Sequence, residues 1–145
     1  MNDREYNWKA LQKHLGYSDQ EMETFKSDPK RNAAARKLFH PDILKKDLVV
    51  EVVEAHGCGA GLKPGDKLVF HGLALLDMGQ SSQKWCAHAL GQIPGLATLV
   101  QDRYVSGLDP NGMIYDHFSC GDVGPMRHGW GQVVMKAYVQ EAAGL

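Results

Sequence analysis

The sequence predicts an α+β protein: a helical N-terminal segment, residues 1–47, packed on a small, mainly antiparallel β-sheet or half-barrel domain over residues 48–145. Three observations predict it. Apolar residues recur at helical intervals between positions 5 and 15, and residues 48–55 form a β-branched run. Beyond that run, turn signals built on glycine and proline punctuate the chain.

In the first helix Trp8, Leu11 and Leu15 fall on one face, and Gly16 supplies the stop. Ser18 followed three residues later by Glu21 is a capping box, with Met22 and Phe25 as the apolar face of the second helix. Asp28-Pro29 opens a third, because aspartate caps an N-terminus and proline suits the first helical position. That helix stops before His40-Pro41, since proline disfavours a helical residue in front of it. Large apolar residues are few here, so the segment reads as a cover for the main domain or as a docking element for a second subunit or second copy. His14 and His40 read as surface residues.

The run 48–55 is the best strand in the chain, and Lys63-Pro64-Gly65-Asp66 is a turn leading to a second strand over 67–71, closed by Gly72. Residues 83–90 read as a helix that begins near Ser81-Ser82 and is ended by Ile93-Pro94-Gly95. Residues 96–105 are ambiguous and lean towards helix up to Gln101. Asp109-Pro110-Asn111-Gly112 is a turn, and 113–118 and 132–139 read as the last strands. Between those strands, residues 120–131 hold four glycines and a proline, so this loop turns sharply or approaches something closely. The whole reads as one domain with a helical annex.

Composition bounds the partners. The 145 residues are 43% hydrophobic and 23% charged with a net charge of -1, which suits a globular domain and carries no nucleic-acid footprint. No apolar run approaches the roughly 20 residues of a membrane span. Residues 1–5 are charged and lack the centre of a secretory signal, so a cytoplasmic protein is expected. Cys58, Cys86 and Cys120 are odd in number and contain no Cys-x-x-Cys, which fits free thiols in a reducing compartment.

The chemistry-bearing residues cluster in sequence. His56 and Cys58 are two apart, as are Cys86 and His88; His117 precedes Cys120 by three, and His128 lies in the glycine loop. Thiolate and imidazole are natural ligands of zinc or iron, which makes His56, Cys58, His117, Cys120 and His128 the candidate metal set. Cys58 and Cys120 could instead be nucleophiles, with His128 as acid–base group and Asp122 orienting it or acting as base. Against these stand plainer uses: a buried thiol as a small hydrophobe, above all Cys86 beside Trp85, and Gly121-Asp122 as an ordinary turn. Arg127 could clamp an anion or face solvent, and Trp130 and Tyr115 could line a pocket or pack in the core. No Walker loop, Gly-x-Gly-x-x-Gly or Gly-x-Ser-x-Gly occurs.

The segments Val-Glu-Val-Val-Glu-Ala-His-Gly-Cys, Lys-Pro-Gly-Asp-Lys-Leu, Cys-Ala-His-Ala-Leu, Ser-Cys-Gly-Asp and Gly-Trp-Gly occur in that order. In this the chain resembles a family of small, mostly uncharacterised bacterial and archaeal proteins over about two-thirds of its length. The resemblance implies that Cys58 and Cys120 are a matched pair. It also places Ser81-Ser82 where that family often has Cys-Pro, so an all-cysteine metal site does not carry over to this chain. Two functions are expected from these readings. One is a small enzyme or enzyme subunit with a Cys/His-lined pocket, metal-dependent or not, acting on a small polar substrate. The other is a non-catalytic accessory or binding protein that docks a partner, or a further copy in a homo-oligomer, through its N-terminal helices.

Overall fold

The computed structural model describes residues 6–143; the expectations for the charged start, and for Glu5 in the first helix, lie outside the described residues. The chain divides into two compact units, residues 1–43 and 44–145. In the first unit, α1 (Trp8–Leu15), α2 (Asp19–Ser27) and α3 (Pro29–Leu38) form where capping chemistry places them. Ser18 and Glu21 complete the capping box, Asp28 accepts from the amides of Lys30 and Arg31, and Gly16 takes the left-handed conformation that ends α1. Leu11, Met22 and Ala35 are the buried centre, with Trp8, Leu15, Tyr17 and Phe25 packed against it.

The second unit is built on an open five-stranded antiparallel sheet in the order β3-β2-β1-β5-β4, formed by β1 (Lys46–His56), β2 (Lys67–His71), β3 (Leu75–Leu76), β4 (His117–Ser119) and β5 (Gln132–Glu141). The fold is α+β, with the N-terminal helices preceding the sheet. Alternation sorts β5, where Val133, Met135, Ala137 and Val139 are buried and Gln132, Val134, Lys136 and Tyr138 stand between them half-buried, whereas β1 is buried on both faces from Asp47 to Val50. A bulge at Val53 shifts the phase of β1, so that Ala55 comes to stand opposite Val133. The Lys63–Asp66 turn forms as expected, with Gly65 left-handed at φ 95°.

Three expectations require correction. The helix expected over 83–90 is only α4 (Ala87–Leu90), because the hydroxyls of Ser81 and Ser82 do not start a helix. They accept from the amides of Val69 and Lys67 and plug the outer edge of β2. Ile93-Pro94 does not end a helix but begins α5 (Ile93–Val105), proline being as much at home in a first turn as past a last one. The strand expected over 113–118 shrinks to β4, since Asn111 takes over farther along β5: its Oδ1 accepts from Val139 N at 2.7 Å and its Nδ2 donates to Val139 O at 2.9 Å. Among the described residues no helix is long and apolar enough to cross a membrane.

Candidate functional site

Antiparallel pairing sends two loops out of one end of the sheet: 57–66 after β1, and 120–131 between β4 and β5. They meet backbone to backbone. A Cβ on Gly131 would overlap the carbonyl of Gly57 and stand 2.8 Å from Cys58 N, while one on Gly57 would stand 3.0 Å from Trp130 O. Glycine is required at 131 by this approach, and Gly57 is also left-handed.

The longer loop is folded around one carboxylate. Asp122 accepts from Gly124 N at 3.1 Å, Trp130 N at 3.1 Å and Gly131 N at 3.2 Å. Those amides, Gly124 first, hold its carboxyl below the usual range, because each stabilises the ionised form. Glycine is required at 129, because a Cβ there would overlap Asp122 Oδ1. Asp122 is therefore a structural clasp in this loop. Held this way, the loop presents Met126 and Trp130 almost wholly to solvent, at 94% and 88% exposure, with Val123, Arg127 and His128 also exposed.

The cysteines flank the start of β5. Cys120 donates its amide to Val133 O, and its Sγ accepts from Val133 N at 3.4 Å, so the thiol takes the place of a carbonyl in the ladder. Cys58 lies half-buried on the other side, in the turn against Gly131. His88 joins this end, its carbonyl accepting from Gly121 N at 3.1 Å, while Cys86 sits half-buried at the N-cap of α4.

The histidines do not gather there. His56 and His117 share a face, opposite Gln132 and Lys136 of β5, but they lie on either side of β5, and four residues along it with two strand spacings across put them about 16 Å apart. Cys120 lies just past β4 and turns its Sγ along the sheet edge to Val133 N, three residues along β5 from Lys136, the register partner of His117. His117 is bound instead to Asp116 (2.8 Å), whose carboxyl that bond lowers. His128, at φ 67°, ends a 3-10 turn and is exposed. Among the described residues no three of His, Cys, Asp and Glu stand together to hold a metal.

No family model, curated protein or solved structure matches the chain.

The opposite end of the sheet holds a pair that sequence reasoning missed. Asp47 and His71 are register partners on β1 and β2, and His71 Nδ1 donates to Asp47 Oδ1 at 3.0 Å. Asp47 is fully buried and its Oδ2 has no hydrogen-bond partner among the described residues, while the His71 side chain is 26% exposed. The charge of His71 also helps hold down the carboxyl of Asp77, after the Gln80 amide and the backbone of Gly79. A signal existed: Asp47 interrupts the entry to an apolar strand, where an acid needs a partner. On the helical unit, a groove of about 370 Å³ is lined by Tyr17, Gln20, Glu21, Thr24, Phe25 and Arg31.

Proposed function

We propose that the protein is a non-catalytic accessory or binding protein that engages a partner protein through the loop end of its sheet. The observation that carries this reading is the pair Met126 and Trp130, held out in solvent on a loop whose backbone is tied to Asp122. Tryptophan, methionine and arginine are enriched where proteins meet, and a loop already fixed loses little freedom on binding. Gly57 and Gly131 fill the space in which a pocket between the loops would have to open. This favours the loop over the N-terminal helices as the docking element. The family resemblance implies that Cys58 and Cys120 are a matched pair, and both stand at this end of the sheet.

The test is affinity capture with wild-type protein, followed by binding of the purified captured partner to variants. Met126→Ala with Trp130→Ala should abolish binding with the circular dichroism unchanged, while substitutions at Gln20 and Thr24 in the helical groove should leave it intact. The reverse pattern removes the proposal and returns docking to the helices.

An enzyme reading has one specific observation in its favour, the Asp47–His71 pair, because a carboxylate that fixes Nδ1 leaves Nε2 to carry a proton. In that reading a turnover found for this chain disappears in His71→Gln and survives Cys58→Ser and Cys120→Ser.

A further inference from the structure

Asn111 is followed by Gly112, and both reacting groups of that dipeptide are held. The side-chain amide clasps Val139 through its oxygen and its nitrogen. The Gly112 amide donates to Asp109 O at 3.0 Å, and Arg103 Nε donates to the same carbonyl at 2.9 Å. An asparagine before glycine is the most easily cyclised of its kind, since no Cβ hinders the following nitrogen.

We propose that Asn111-Gly112 is a site of spontaneous deamidation, kept shut by the fold, and that its modification unlatches the outer edge of β5. When the latch opens, the deprotonated Gly112 nitrogen attacks Cγ of Asn111. A bond forms between them, the Cγ–Nδ2 bond breaks, and the amide nitrogen leaves as ammonia. Water then opens the five-membered imide to aspartate or isoaspartate, and no oxidant or reductant takes part. The product cannot close the latch again: where Nδ2 donated to Val139 O, a carboxylate oxygen now faces that carbonyl, acceptor against acceptor. The site thus records how often this edge has opened.

Two measurements test it. The full chain is incubated at mildly alkaline pH, folded and in urea, and residue 111 is read by peptide mapping for aspartate and isoaspartate. Modification in urea should outpace that in the folded protein by about tenfold or more, the ratio expected when reaction needs local opening, and Gly112→Ala should suppress it in urea. Equal rates, or no modification in urea, overturn the protected site. The thermal midpoint should fall in the order wild type, Asn111→Ala, Asn111→Asp. A midpoint for Asn111→Asp no lower than for Asn111→Ala overturns the unlatching.

Discussion

Asp122 and Asp47 stand at opposite ends of one sheet and are housed in opposite ways. Asp122 is surrounded by backbone amides that the glycine loop turns towards it, so its charge organises the chain at little desolvation cost. Asp47 is wholly buried and, among the described residues, has one imidazole partner and an oxygen with none. The first arrangement builds a platform from backbone. The second stakes the sheet on one side chain. Placement relative to N–H donors, rather than residue type, decides whether an aspartate is a scaffold or a liability.

The contrast can be broken at either end. At the loop end, Gly131→Ala should have the largest effect, about 4 kcal/mol or more, because its methyl meets backbone that cannot move aside; urea unfolding reads it. At the far end, His71→Ala strands the buried Asp47 and should cost about 3–5 kcal/mol, whereas Asp47→Leu with His71→Leu should recover most of it. A double variant no more stable than the single one would show that the pair is not coupled.

Acid sharpens the comparison. The Asp122 carboxyl is lower in the folded loop than in the unfolded chain, so its ties are complete above the ordinary carboxylate range near pH 4. They are lost as pH falls through the folded value. The amide signals of Trp130 and Gly131 should therefore shift together below about pH 4, and Asp122→Asn should show the same loosening at neutral pH. Retained exchange protection of those amides in the variant would remove Asp122 from the clasp. Cys120→Ala leaves Val133 N–H without its sulfur partner, for a loss of about 1–2 kcal/mol, with Cys120→Ser intermediate in thermal melts. The smallest effect is expected from His128→Gly, which removes the cost of a side chain at φ 67° and should gain up to about 1 kcal/mol. A loss there instead would give the imidazole a contact of its own.

Much of the frame was legible in the sequence because the deciding contacts are local. A serine three residues before a glutamate, an aspartate before a proline, and Pro-Gly-Asp each specify geometry within one turn, and α2, α3 and the Lys63–Asp66 turn formed accordingly. Long-range partners were not legible. Ser81, Ser82 and Asn111 carry turn-forming or capping side chains, and only the folded sheet shows that these are spent on strand edges. The candidate site residues stay apart for a related reason: strand alternation sets His117 and Cys120 apart unless Ser119 bends the chain, and only the folded sheet shows that the Cys120 sulfur is spent on Val133 N. Asp122 was expected to orient a histidine or act as a base; its hydrogen-bond partners are backbone amides, which no spacing of histidines and cysteines reveals.

The serine and asparagine plugs have a consequence for the protein in a crowded solution. Where Ser82, Ser81 and Asn111 occupy the amides of Lys67, Val69 and Val139, a neighbouring chain finds no template on which to stack, so strand addition is blocked along those stretches of β2 and β5. Strand addition at those stretches would have to begin from molecules in which Ser81, Ser82 or Asn111 has let go.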